Sequence, residues 1–156
     1  MRATPEQTSK PDAKHAESAM GFDYGRGRIG IALAHRITQH VYPLQTLDVH
    51  RGIDWALIGQ LIETWQPGLL VVGLPLNEDG SEHEITAEAK RFARRLEGRF
   101  NRPYRLVDER LSSHEATVRL TSMNAPRGRH RTSVTVDSVA ACLILETWLS
   151  MEAAGR

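Results

Sequence analysis

The spacing of apolar residues changes partway along the chain, from strand-like alternation to the three- and four-residue spacing of helices. Three apolar stretches follow each other closely, at residues 19–23, 28–34 and about 40–47. Gly and Arg in the first connection and a His-Arg pair in the second allow tight turns. These stretches therefore predict three antiparallel strands.

Helices and strands alternate in the second part of the chain. Apolar residues recur at helical spacing over residues 53–65, and Pro67 ends this helix just before a buried-strand pattern at 69–73. The remaining predicted elements are a helix from a capping box of Ser81 and Glu84 to about Phe100, a strand at 104–107, a helix capped by Ser112 and Glu115, and a helix over 136–149.

This order of elements indicates an α/β domain. The later strands are joined by helical crossovers, which favour parallel pairing. We therefore predict a five-stranded mixed sheet, three antiparallel strands plus two parallel ones, flanked by helices and with the first strand central. An antiparallel meander that leads into parallel strands is typical of a ribonuclease-H-like fold.

Length and composition fit one domain. The chain has 156 residues, and residues 1–18 are polar without apolar periodicity, so we expect a disordered tail followed by a domain at 19–152. The lone Cys142 lies among apolar residues and is expected to be a small buried side chain. The sequence shows neither a bilayer-spanning run nor a secretory signal, so a cytoplasmic protein without a membrane partner is expected.

Basic residues are clustered, although the net charge is only +1. Such clusters form either a solvated helix face with a polar loop or a surface that binds phosphates, and both interpretations stay open. Tyr24 is the aromatic residue best placed to contact a substrate. The candidate nucleic-acid-binding residues are Arg26, Arg28, Arg91, Arg94, Arg95, Arg110, Arg127, Arg129 and Arg131.

Three acidic residues stand at junctions between predicted elements. Asp23 ends the first strand, Glu109 follows the fifth, and Asp137 begins the last helix. Singly, Asp23 could be a turn residue and Asp137 a charge that favours the helix dipole. As an ordered set, the three carboxylates suggest a divalent-metal site. Asp108 and Glu109 are neighbours on a strand, so only one of them can easily face that site.

Four short motifs, in order along the chain, resemble those of the YqgF (RuvX) family, whose members are described as Holliday-junction-resolvase-like nucleases implicated in trimming pre-16S rRNA. The resemblance covers residues from about 20 to 149. The motifs are Asp23-Tyr24-Gly25, Val72-Gly73-Leu74-Pro75-Leu76-Asn77 with Asp79-Gly80, Asp108-Glu109-Arg110-Leu111-Ser112, and Val136-Asp137-Ser138-Val139-Ala140-Ala141.

The resemblance implies a catalytic and metal-binding role for Asp23, Glu109 and Asp137, with Mg²⁺ or Mn²⁺ as the cofactor. In this hypothesis Asp23 bridges two cations while Glu109 and Asp137 each hold one. The implied function is phosphodiester hydrolysis at the 5′ end of pre-16S rRNA. Structured RNA, branched DNA and ribosomal particles are the implied partners. Thr135 stands where many members have lysine, so one of Arg127, Arg129 and Arg131 would replace that phosphate contact.

Three other functions stay open at this point. The protein could be a ribosome- or nucleic-acid-binding factor without catalytic activity, or a DNA resolvase of the Holliday-junction type. A hairpin with an Asp-x-Gly turn also opens actin-like phosphotransferases, but one copy of the fold is short for their two-lobed cleft. The complete acidic trio favours a nuclease.

Overall fold

A five-stranded mixed sheet forms the centre of the protein. The computed structural model describes residues 16–111 and 136–154. The strand order is β3-β2-β1-β4-β5, with antiparallel β1–β2 and β2–β3 pairs and parallel β1–β4 and β4–β5 pairs. The predicted sheet and its central first strand are thus confirmed. The strands are β1 (Ser18–Asp23), β2 (Arg28–His35), β3 (His40–Asp48), β4 (Leu69–Leu74) and β5 (Tyr104–Asp108).

Helices cover both faces of this sheet. On one face, the last helix packs against the alanines and glycines of β1 and β2; on the other, two helices pack against larger side chains such as Met20 and Phe22. This division follows from the alternation of side chains along each strand. The helices are α1 (Trp55–Trp65), α2 (Glu84–Phe100) and α3 (Val136–Ala154), and a 3₁₀ turn spans Glu109–Leu111.

The face beneath α3 is made of small residues, so the helix lies very close to the sheet. A Cβ atom on Gly21 of β1 would lie only 2.6 Å from Cγ of Leu145. Ala19, Ala32 and Ala34 belong to the same buried layer. This close approach brings the first turn of α3 to the ends of the central strands.

Two element boundaries differ from the prediction. Strand β1 starts at Ser18, one residue before the predicted strand, and Ala16 just before it is only 5% exposed. The prediction of a capping box formed by Ser81 and Glu84 is wrong. Helix α2 instead begins after His83, whose backbone N–H donates to Oγ1 of Thr86 at 3.1 Å.

Ser81 belongs to the turn between β4 and α2. Its backbone N–H and its hydroxyl donate to Asp79 Oδ1 at 2.9 and 2.6 Å, and Asn77 Nδ2 donates to the Ser81 hydroxyl at 2.9 Å. Local polar side chains that bind nearby backbone groups favour turns over helices. Residues 1–15 of the predicted tail, the predicted third helix near 112–115 and Thr135 lie outside the described residues.

Cys142 is buried in α3, as predicted. Burial raises the pKa of its thiol to about 12, so this cysteine packs as a small apolar residue and stays protonated. Within the described parts of the chain, no helix combines the length and the apolar character needed to cross a membrane.

Candidate active site

The three candidate carboxylates belong to elements that end or begin at one edge of the sheet. Strands β1, β4 and β5 are parallel, so their carboxyl ends share that edge. Asp23 is the last residue of β1, and Glu109 directly follows β5. Asp137 lies in the first turn of α3. The topology therefore brings together residues that are far apart in the sequence.

Gly30 allows Asp137 to approach Asp23. Gly30 is the β2 residue paired with Asp23. A Cβ atom at Gly30 would lie 2.0 Å from the carbonyl oxygen of Asp137 and 2.8 Å from the backbone nitrogen of Ser138. The first turn of α3 therefore rests directly on the strand beside Asp23, in space that any larger residue would occupy.

Gly73 leaves similar room for Glu109 on the other side of Asp23. The pairing of Phe22 with Val72 places Gly73 level with Asp23 on the neighbouring strand. A Cβ atom on Gly73 would lie 2.9 Å from both Cγ and Oε2 of Glu109. The Glu109 side chain thus reaches back over β4 towards Asp23.

The structure decides between Asp108 and Glu109. Glu109 lies over Gly73, on the face covered by α3, where Asp23 also points by strand alternation. Asp108 instead pairs with Arg110, whose Nη2 is 2.7 Å from Asp108 Oδ2, and it accepts the backbone N–H of Arg110 at 2.9 Å. Asp108 therefore holds the 3₁₀ turn, and Glu109 is left to face Asp23.

The electrostatics show that Glu109 and Asp137 both act on Asp23. Burial, with added repulsion from Glu109 and Asp137, raises the pKa of Asp23 to about 7. Burial and the charge of Asp108 raise the pKa of Glu109. Among the described residues, Oε2 of Glu109 has no hydrogen-bond partner although it is buried. A buried, unpaired carboxylate oxygen beside other acids lacks a positive partner.

The donor set fits a hard divalent cation. Carboxylate oxygens are the ligands that Mg²⁺ and Mn²⁺ prefer, and these ions keep several waters or substrate oxygens. Across residues 16–111 and 136–154, no three Asp, Glu, His or Cys side chains form a preassembled set of ligands. Oδ2 of Asp137 is 3.1 Å from Nε of Arg28, so shared coordination requires side chains at this edge to rotate.

The predicted nucleic-acid-binding arginines fall into three groups. Arg26, Arg28 and Arg110 are exposed but bind acidic residues of the protein itself: Glu88, Asp137 and Asp108, respectively. Arg91, Arg94 and Arg95 lie exposed on α2. Arg127, Arg129 and Arg131 lie outside the described residues.

Sequence reasoning missed the role of two glycines, which leave room for the backbone of Asp137 and for the side chain of Glu109. Gly30 interrupts an apolar strand pattern, and a glycine inside a strand often marks a close approach by another part of the backbone. That signal could have drawn attention to Gly30. It could not have identified α3 as the approaching element, because the sequence separation exceeds 100 residues.

Stability in the absence of divalent cations should fall as the pH rises. The folded protein keeps a proton on Asp23 up to about pH 7, whereas the unfolded chain loses it near 3.8. The folded state thus binds more protons between these values, and stability drops across this window by up to about 4 kcal/mol. Urea unfolding in EDTA at pH 5 and 7.5 should show about 2.5 kcal/mol of this drop. The unfolding free energy of the Asp23→Asn variant should lack this dependence on pH. An equal dependence of the unfolding free energy on pH in both proteins would contradict the prediction.

Solved structures share this architecture. RuvC from Thermus thermophilus aligns with a TM-score of 0.53 at 10% identity, over 86% of this chain and 96% of that one. The fowlpox virus Holliday junction resolvase aligns with a TM-score of 0.53 at 10% identity, over 88% and 99% of the two chains. The fold is that of the ribonuclease-H-like resolvases, as predicted.

The sequence comparison is more specific. The chain belongs to the RuvX family, a nuclease family whose model is described as "Holliday junction resolvase" and matches residues 17–151. A relative from Aeromonas hydrophila is 45% identical, over 86% of this chain and 95% of its own. One from Pseudomonas putida is 46% identical, over 83% and 92%. Both are named "Putative pre-16S rRNA nuclease". The predictions of the family and of a nuclease are confirmed.

Proposed function

We propose that this protein is a divalent-metal-dependent nuclease that hydrolyses phosphodiester bonds in pre-16S rRNA, at the 5′ end of the mature sequence. The observation that carries the proposal is the meeting of Asp23, Glu109 and Asp137 at one sheet edge. A factor that only binds nucleic acid has no need for three acids that repel each other at such a site. The proposal includes a cytoplasmic location and contact with ribosomal particles.

The same three carboxylates would hold the metal. A bound Mg²⁺ or Mn²⁺ would supply an activated water and stabilise the charge that develops on the phosphate. The protein contributes the placement of the backbone, since Asp23 lies on the central strand, the Asp137 backbone rests on Gly30, and Glu109 lies over Gly73. Arg28, at the same edge, would contact a phosphate oxygen once Asp137 turns to the metal.

The names of the relatives and of the family suggest different substrates. Relatives that share about 45% of their residues with this chain are named for pre-16S rRNA, whereas the description of the family names Holliday junctions. The solved resolvases are too distant in sequence to indicate more than the fold. RNA is therefore the leading substrate, and branched DNA is the second candidate on the strength of the family description.

A cleavage assay with matched substrates tests the proposal. We expect cutting of a precursor fragment that spans the 5′ end of 16S rRNA in Mg²⁺ or Mn²⁺, and no cutting in excess EDTA. A fragment of mature 16S rRNA is the RNA control, and a four-way DNA junction is the second substrate. The products are resolved on denaturing gels.

Two other outcomes of this assay would favour the alternative functions. Cutting of the junction alone would favour a DNA resolvase. Binding that persists in EDTA, with no cutting of any RNA or DNA in either metal, would favour a factor without catalytic activity.

A further inference from the structure

A cavity of about 200 Å³ lies on the face of the sheet opposite α3, beside the carboxyl end of β1. It lies between the end of this strand, the segment before α1, and the exposed side of α2. Its lining residues are Tyr24, Ile53, Glu88, Arg91, Phe92 and Arg95. Aromatic and basic side chains therefore meet at a concave surface that the acidic site does not use.

The floor of this cavity is aromatic. The rings of Tyr24 and Phe92 are 5.4 Å apart, and Phe92 is buried. Trp55 stacks against Phe92 from the α1 side, with ring centres 5.8 Å apart. Tyr24 is partly exposed and lines the cavity, so its ring can pack against a flat ligand. Such rings provide stacking surfaces for nucleobases.

The charge of the cavity is positive on balance. Its one carboxylate, Glu88, accepts hydrogen bonds from Arg26 Nη2 at 2.7 Å and from the Tyr24 hydroxyl at 3.1 Å. Arg91 and Arg95 are exposed, and no hydrogen bond or ion pair within 4 Å joins either side chain to another described residue. The Arg95 guanidinium carbon lies 5.0 Å from the centre of the Trp55 ring, and the charge of Arg91 acts on Glu88 from a longer distance. Two guanidinium groups are thus available for phosphate oxygens.

The cavity is close to the acidic edge along the chain. Tyr24 directly follows Asp23, so their Cα atoms are about 3.8 Å apart. The Tyr24 side chain packs with the core on the α2 side, whereas Asp23 points to the α3 side. A nucleic-acid strand whose phosphate lies at Asp23 can therefore place a neighbouring nucleotide in the cavity as it crosses the end of β1.

We propose that this cavity binds one nucleotide of a single-stranded segment next to the cleaved bond. The base packs on Tyr24, and Arg91 and Arg95 bind the phosphate. This inference rests on the proposed nuclease function and restricts its substrate: the strand must be unpaired beside the cleavage point. A base that is paired and stacked within a duplex cannot enter an aromatic cavity without being unstacked.

Binding of fluorescent single-stranded RNA, followed by anisotropy in EDTA, tests the phosphate contacts without any cleavage. We expect the double variant Arg91→Gln/Arg95→Gln to bind about tenfold more weakly or worse. The slope of log affinity against log salt should become smaller by about 0.7, because one single-strand phosphate is no longer neutralised. The matched control is Arg105→Gln, which removes an exposed arginine from β5, outside the cavity. Wild-type affinity in the double variant, or an equal loss in the control, would overturn the proposal.

The aromatic contact is tested with two substitutions of one residue. Tyr24→Phe keeps the ring and should bind nearly as well as wild type, whereas Tyr24→Leu should bind about tenfold more weakly because a base stack is lost. Circular dichroism and thermal unfolding check that both variants are folded. Equal affinities for Tyr24→Leu and Tyr24→Phe would contradict the stacking role.

Blunt duplex RNA and single-stranded DNA complete the design. The variants should change binding to single strands of either kind and leave binding to duplex RNA nearly unchanged. An equal loss on duplex RNA would show a general electrostatic surface and overturn the proposal. If the variants behave as expected but wild type cuts nothing in Mg²⁺ or Mn²⁺, the nuclease function fails while the binding site stands.

Discussion

The Asp23→Asn variant should cleave phosphodiester bonds at least about 10³-fold more slowly than wild type. This decrease is equivalent to a loss of about 4 kcal/mol of transition-state stabilisation. Asp23 lies between the other two acids, and the substitution removes a buried negative charge with almost no change in shape. The folded structure should survive. At neutral pH, in the absence of metal, the variant should be more stable than wild type, because it has no charge to bury and none for Glu109 and Asp137 to repel.

Initial rates on the precursor fragment at saturating Mg²⁺, together with urea unfolding, measure these effects. The matched control is Glu63→Gln, which removes an exposed carboxylate from α1, on the face of the sheet opposite α3. This control should keep a cleavage rate near that of wild type. Cleavage by Asp23→Asn at the wild-type rate would show that the acidic edge is not the catalytic site.

The Gly30→Ala variant should lose both stability and activity. The added methyl group would lie 2.0 Å from the carbonyl oxygen of Asp137, and backbone atoms cannot rotate away as a flexible side chain can. The first turn of α3 must therefore move away from the sheet, at a cost of about 3 kcal/mol. A displacement of about 1 Å at Asp137 should lower the cleavage rate by about 10²-fold.

Gly98→Ala provides the matched control for this substitution. Gly98 lies in α2, and nothing lies within 4 Å of a Cβ atom placed there. Alanine should stabilise this helix by about 0.5 to 1 kcal/mol and leave cleavage unchanged. Chemical denaturation and the cleavage assay are applied to both variants. Comparable stability and activity in the two alanine variants would refute the close contact between α3 and β2.

The fold could be predicted from the sequence because the pattern of neighbouring residues indicates each element. Alternating apolar residues, helical spacing and the stop at Pro67 indicated all five strands and the three described helices. Short turns fixed the antiparallel pairs, and helical crossovers fixed the parallel ones. The start of α2 was wrong since Ser81 binds Asp79 in a turn, and local side-chain contacts of this kind compete with helix caps.

The arginines show the limit of reading charges from sequence. All nine predicted residues looked alike as phosphate ligands, yet Arg26 and Arg110 bind Glu88 and Asp108 within the protein. Whether a surface cation has an internal partner depends on residues that the fold brings near. Glu88, the partner of Arg26, is 62 residues away in the sequence.

The sequence by itself determined the order and type of the elements and the presence of three acids at their ends, since these are properties of neighbouring residues. The tertiary structure decided the rest. It placed Gly30 and Gly73 on either side of Asp23, turned Glu109 rather than Asp108 towards the site, and left a cavity at Tyr24 on the opposite face. These features arise from sheet register and from how closely a helix approaches a strand, and both depend on contacts between residues distant in the chain.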